Sequence, residues 1–333
     1  MSQSYPVSLL EILKAYFQDP KVHKVESIQT LWSGYGEIAR YFVPAKQQYF
    51  VVKVVDPNTH SEHPRGWNTS ISHSRKLDSY QNEQAFYQKY SALADNKCRL
   101  PKSIATGQNQ QLRWLIMEDL DASGFTCRCD DAPLELVRLG VRWLAYFHAR
   151  FINQATPELW PVGTYWHLKT RPDEFQKMPE GRLKSAAAAL DEKLNSASYQ
   201  TLLHGDAKLA NFCFAADQKD LAAVDFQYVG RGVGVKDLAY FLGSCFYDEG
   251  LFTHADNLLN EYFTHFKAAV SHYQLNCNVA LLEAQWRALY PLAWADFDRF
   301  LSGWAADHYK RNEFMQNQTE QGLLYLEQHK SSR

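Results

Sequence analysis

The chain of 333 residues lacks an excess of either charge: 35 Lys and Arg stand against 37 Asp and Glu, for a net charge of −2. With no basic run along the sequence, a polyanionic nucleic-acid partner is not expected, although a small anionic ligand needs only a few local charges. No apolar stretch approaches the ~20 residues of a membrane-spanning helix. The start, MSQSYPVSLLEILKAYFQ, has neither the basic opening nor the continuous apolar run of a secretory signal. Cysteine is scarce and scattered. Only Cys127 and Cys129 of the six lie close together, and one such pair gives neither a disulfide framework nor a zinc site. A reduced, cytoplasmic protein is therefore expected. There is no internal repeat and no Gly/Ser-rich linker. With 46% hydrophobic and 22% charged residues, the composition is that of a folded chain, long enough for two domains or two unequal lobes.

Aromatic residues are plentiful: 9 Trp, 19 Tyr and 19 Phe. Large rings mostly pack cores, but the cluster LWPVGTYWHL at 159–168 could also line a cleft. Helical spacing of Leu9, Leu10, Leu13 and Phe17 marks a first helix. KVESIQTLWSG, IARYFVP and QQYFVVKVV then read as antiparallel strands separated by SGYGE and PAKQ turns. Residues 56–78 read as an irregular insert, a candidate flap, with a helix beginning near Asp78. RLPKSIATG reads as a link, and RWLIMEDL at 113–120 as a buried strand. Beyond this point the rhythm becomes helical, beginning with the amphipathic segment 133–153 and another helix over about 181–195. The pattern predicts an α+β chain with an N-terminal antiparallel-sheet lobe (1–120) and a larger, mainly helical C-terminal lobe (121–333).

Residues 202–214, LLHGDAKLANFCF, place polar residues between two apolar ends. The stretch is either a hairpin with a GD turn or a loop between two short strands. Asp206 and Asn211 are separated by four residues, and Asp225 in AAVDFQ follows Asn211 by fourteen. On adjacent strands these three would offer hard oxygen donors suited to Mg²⁺, which completes its octahedron with water and phosphate. Asp206, next to a glycine, suits the orientation and deprotonation of a hydroxyl.

LHGDAKLANF followed by VDFQ resembles the HGDxxxxN and metal-binding motifs of the aminoglycoside phosphotransferase and choline kinase superfamily. With MEDL and DFQ, it looks most like the ecdysteroid-kinase-like branch. The resemblance spans roughly 25–300. It implies a bilobal protein-kinase-like fold and a kinase that uses ATP and Mg²⁺ to phosphorylate a hydroxyl of a small molecule.

Carried over, the resemblance makes Asp206 the catalytic-loop aspartate, Asn211 and Asp225 the metal ligands, and Asp237 a brace for the catalytic loop. Asp237 would also serve simply as a favourable charge at a helix start. His204 reads as a packed loop organiser rather than a second base. Gln227 stands where protein kinases have the glycine of DFG. Lys208 either neutralises the moving phosphoryl group or faces solvent. Lys53, flanked by two valines on each side, matches the lysine that contacts the nucleotide phosphates, and Glu83 its ion-pair partner on the next helix. Ser33, Gly34 and Gly36 match a phosphate-covering turn without a G-x-G-x-x-G continuation, and equally suit a two-glycine hairpin turn. Met117, Glu118, Asp119 and Leu120 match the hinge beside adenine.

For the acceptor, Trp160, Tyr165 and Trp166 would favour an apolar alcohol, and Asp173 and Glu174 a basic one. A monomer or weak homodimer is expected. A nucleotide-binding scaffold without turnover is the alternative of a different class. A metal-dependent hydrolase would need more histidines near His204, and His60, His63 and His73 read as surface groups of the insert.

Overall fold

A computed structural model describes residues 8–31, 34–56, 70–109 and 112–329. They form two compact units, one comprising the described residues up to Leu93 with Leu100–Thr126, the other Ala94–Arg99 with the chain from Cys127 onward. The expected α+β division is present: an antiparallel-sheet lobe and a larger helical lobe. Among the described residues, no helix is long and apolar enough to cross a membrane.

In the first unit, helix α1 (Leu9–Phe17) opens with a capping box in which the Ser8 hydroxyl and the Glu11 carboxylate each accept the other's backbone N–H. Strands β1 (His23–Thr30), β2 (Gly36–Val43), β3 (Gln48–Val55), β4 (Ser103–Gln108) and β5 (Arg113–Glu118) build one antiparallel sheet in the order β1-β2-β3-β5-β4. Leu13 and Phe17 of α1 join a core that includes Tyr41, Phe50, Val52 and Ile116. The sheet's centre is therefore β3, whose run of β-branched residues becomes increasingly buried towards Val55.

Two expectations are corrected here. The link RLPKSIATG contains strand β4, an edge strand that alternates only between half-buried and exposed positions and so carries little apolar signal. The helix expected near Asp78 begins at Ser70, making α2 (Ser70–Lys89) 20 residues long and narrowing the irregular part of the insert. Its first turns, SISHSRK, are polar and show no apolar stripe. Residues 57–69, with His60 and His63, lie outside the described residues, as does Ser33. His73 falls within α2, where its ring contacts the Tyr35 hydroxyl.

The second unit holds helices α3 (Leu134–Arg150), α4 (Pro172–Lys177), α5 (Arg182–Asn195), α6 (Val235–Cys245), α7 (Asp248–His272), α8 (Val279–Trp304) and α9 (Glu313–Gln328). Helix α3 packs on α7, and α8 on α6 and α9. Two small antiparallel ribbons sit among them: β6 (Thr201–Leu203) with β9 (Gly230–Gly232), and β7 (Phe212–Phe214) with β8 (Leu221–Ala223). The two apolar ends of LLHGDAKLANFCF thus belong to different ribbons, so the stretch is a loop between sheets and not a hairpin.

Candidate active site

Strand β6 delivers the chain into the loop at His204. Two successive backbone N–H groups, of His204 and Gly205, donate to the Asp237 carboxylate at 2.6 and 3.0 Å. Asp237 is fully buried in the first turn of α6, and it also contacts His148 Nε2 at 3.1 Å, whose Nδ1 meets the Tyr262 hydroxyl at 2.8 Å. A buried carboxylate is retained only when hydrogen-bonded, and here its partners fix the loop's backbone to α3 and α6. Gly205 is required by shape: at φ +81, a Cβ would lie 2.0 Å from the Tyr228 carbonyl oxygen. The His204 ring accepts the Asp206 N–H at Nδ1 (3.3 Å) and contacts the Val224 carbonyl through Nε2 (2.9 Å). Both nitrogens are thus occupied in organising the loop. Nε2 donates to a carbonyl while Nδ1 accepts, which describes a neutral imidazole.

Asp206 emerges from this frame as a buried carboxylate. The Tyr240 hydroxyl donates to Oδ1 at 2.9 Å, and the Asn211 amide donates to Oδ2 at 3.2 Å and to the Asp206 carbonyl at 2.7 Å. Lys208 Nζ stands 3.5 Å from Oδ2. Burial pushes the carboxyl pKa up; Lys208 opposes this and the Asp225 charge adds to it. Lys208 is held above its usual range, chiefly by Asp206. Because the Asn211 nitrogen serves Asp206, its amide oxygen is left as an acceptor.

The Val224 N–H donates to the Asn211 carbonyl at 2.9 Å, tying the loop to the segment carrying Asp225. Asp225 adopts φ 69, a left-handed conformation uncommon outside glycine, and Gln227 Nε2 donates to its Oδ1 at 2.6 Å. Asn211 and Asp225 are hard oxygen donors of the kind Mg²⁺ accepts. Among the described residues, no three His, Cys, Asp or Glu side chains converge on a metal-sized site. A cation bound here would take few protein ligands and keep positions for phosphate and water, as Mg²⁺ does.

In the first unit, Lys53 lies mid-strand on β3, opposite Ile38 and Leu115. Its Nζ is 2.6 Å from Glu83 Oε2, and both side chains are at most 5% exposed. Glu83 is held in register by its neighbour Gln84, whose Nε2 donates to the Gly107 carbonyl (3.0 Å) and whose Oε1 accepts from Arg113 (2.5 Å). Gly34 (φ 70) and Gly36 form the β1–β2 turn, closed by the Leu31 N–H to Gly36 carbonyl bond at 2.9 Å. A Cβ on Gly36 would meet the Val54 carbonyl at 2.0 Å, so tight strand approach alone explains that glycine. Met117 and Glu118 end β5. The Asp119 carboxylate receives Arg40 Nε at 2.5 Å, and the Glu118 carboxylate receives the Ser123 hydroxyl at 2.6 Å and the Lys102 N–H at 3.0 Å. In that segment the side chains serve the local structure, and Leu120 is buried.

The acceptor candidates divide. Trp166 is fully buried, with its indole N–H on Asp296 at 3.0 Å, and Glu174 is buried against Arg171 at 3.0 Å. Both are built into the unit's packing. Trp160, half-buried, donates to the Gln227 carbonyl at 3.0 Å. Asp173 is half-buried on α4. Tyr165 and Trp166 both pack their rings on Tyr240, at 5.6 and 4.9 Å between centroids. Sequence reasoning missed Tyr240 and His148. Tyr240 could have been found from KDLAYFL, since it lies three residues after Asp237 on the same face of α6. His148 offered no such signal.

Residues 162–275, which span the loop, the Asp225 segment, α6 and most of α7, match the ecdysteroid kinase-like family. The match covers 114 of the 333 residues. Lys53 and Glu83 lie outside the matched span. Solved structures of this fold include an ethanolamine kinase of Plasmodium vivax, at 13% identity and a TM-score of 0.50, covering 95% of this chain and 86% of that one. A looser likeness is to an aminoglycoside phosphotransferase of Streptomyces rimosus, at 17% identity and a TM-score of 0.43, covering 85% of this chain and 97% of that one. A search of curated proteins gives no match.

Proposed function

We propose that the chain is an ATP- and Mg²⁺-dependent phosphotransferase that moves the γ-phosphoryl group to a hydroxyl of a small molecule. The observation that carries this reading is the setting of Asp206, a buried carboxylate aimed by Tyr240 and Asn211 and braced from behind by Asp237. In the proposed reaction, Asp206 orients the acceptor hydroxyl and takes its proton as the acceptor oxygen bonds to the γ-phosphorus. The bond from that phosphorus to the bridging oxygen breaks, and ADP leaves. Mg²⁺, held by Asn211 and Asp225, would supply neutralisation of phosphate charge. Lys53, positioned by Glu83, binds nucleotide phosphates. Phosphoryl transfer asks a protein for alignment and charge placement more than for covalent help, and these residue types supply both. Among the described residues the six cysteines form no disulfide, which fits a reducing compartment.

Calorimetric titration with Mg-ATP tests the nucleotide half of this reading. Saturable binding by the wild type and markedly weaker binding by Lys53→Ala are expected. A folded wild type that binds no nucleotide would refute both the kinase and the scaffold without turnover.

A further inference from the structure

The loop joining α8 to α9 brings a second ammonium group to the Asp206 environment, far along the chain from the catalytic loop. Lys310 Nζ lies 5.1 Å from the ring centroid of Tyr240, the residue whose hydroxyl holds Asp206, and 6.0 Å from that of Tyr309. The loop is fixed on both sides of it. Arg311 binds the Asp298 carboxylate at 2.7 Å and the Ala306 carbonyl at 2.9 Å, the Lys310 N–H donates to His308 Nδ1 at 3.2 Å, and Asn312 caps α9. Lys208 is occupied by Asp206, whereas among the described residues no carboxylate lies within ion-pair distance of Lys310. Its half-buried ammonium rests on ring faces, which attract a cation but give it no hydrogen-bond acceptor.

We propose that Lys310, with Lys208 beside it, is a specificity-determining residue that recognises an anionic oxygen group on the acceptor. The acceptor class is an alcohol bearing a carboxylate or phosphate close to the hydroxyl that is phosphorylated. The inference rests on the kinase reading above and deepens it. A half-buried ammonium gains most from an anion that also satisfies its N–H donors, and it repels a second ammonium brought to the same place. Burial, aided by the neighbouring Lys208 charge and opposed by Asp206 and Cys245, lowers the Lys310 pKa to about 8. Such a shift is expected of a cation awaiting a counter-charge. The acidic pair considered for a basic acceptor is not available as a pair, since Glu174 is committed to Arg171. Ammonium-bearing alcohols are therefore poor acceptors.

The test uses the full chain with Mg-ADP and four matched probes: mandelate, its phosphonate analogue, its methyl ester, and 2-amino-1-phenylethanol. Calorimetry should show at least one anion binding about tenfold or more tighter than the ester and the amine, as a charge-assisted hydrogen bond implies. Comparison of the carboxylate and phosphonate arms identifies which anion the site takes. Lys310→Met should bring the anion-to-ester ratio towards one, and Lys310→Arg should preserve it. Equal or tighter binding of the amine, an anion preference that survives Lys310→Met, or no binding by either anion would overturn the inference. Nucleotide binding is measured first in the same samples. Its absence brings down the kinase reading, whereas nucleotide binding without anion preference brings down this inference alone.

Discussion

The Lys53–Glu83 pair and the Asp206 loop hold buried charge in opposite ways. Lys53 meets a full countercharge at 2.6 Å, one side chain from a strand and one from a helix. Asp206 meets a hydroxyl, an amide and a lysine that stays at 3.5 Å. The first arrangement neutralises its charge, and the second leaves a carboxylate whose pKa is pushed up by burial and whose proton affinity is therefore useful. One region holds a charge in fixed position; in the proposed reaction, the other exchanges a proton at a fixed position.

The sharpest way to break this contrast is to remove one charge from the fixed pair. Lys53→Met takes the ammonium at 2.6 Å away from the buried Glu83 carboxylate, and should cost about 3–5 kcal/mol in denaturant unfolding. The double variant Lys53→Met/Glu83→Leu should recover most of that loss while still failing to bind nucleotide tightly. If the single variant is as stable as the wild type, the pair is not the buried, committed contact described here.

The Asp206 loop depends instead on a brace. Asp237→Asn keeps the shape but replaces a charged acceptor of two backbone N–H groups with an amide that can accept at only one oxygen. The expected cost is about 1.5–3 kcal/mol of stability, with a fall in kcat and little change in nucleotide affinity. Unchanged amide exchange at His204 and Gly205 in that variant would show that α6 does not hold the loop.

The smallest expected effect concerns pH. Lys310 has a pKa lowered to about 8, so it carries its charge below that value and loses it as pH rises through it. KM for an anionic acceptor should therefore climb roughly tenfold per pH unit above about 8, and Lys310→Arg should flatten the climb. A KM independent of pH from 7 to 9 would separate Lys310 from acceptor binding.

How much of this was legible in the sequence follows from where each partner lies along the chain. Lys53 stood out because a lysine among four valines is anomalous on a buried strand, and Glu83 followed from the strand-then-helix order. The loop motif identified Asp206, Asn211 and Asp225 because all three fall within 20 residues of one another. Their supports were harder to see. His148, Tyr240 and Lys310 act from α3, α6 and the α8–α9 loop, and packing alone brings them to the loop. Strand β4 and the first turns of α2 escaped notice because neither carries a continuous apolar face. Trp166 and Glu174 show the converse. Their residue types suggested ligand contacts, and only the partners Asp296 and Arg171 reveal them as structural.

The most direct test of the central claim follows label from γ-labelled ATP into a metabolite extract, comparing wild-type protein with Asp206→Asn by mass spectrometry. The wild type should produce a labelled, phosphorylated small molecule. Asp206→Asn, folded and still binding Mg-ATP, should form it about 10²–10⁴-fold more slowly. Label appearing only on protein, or appearing equally fast with both chains, would contradict the account.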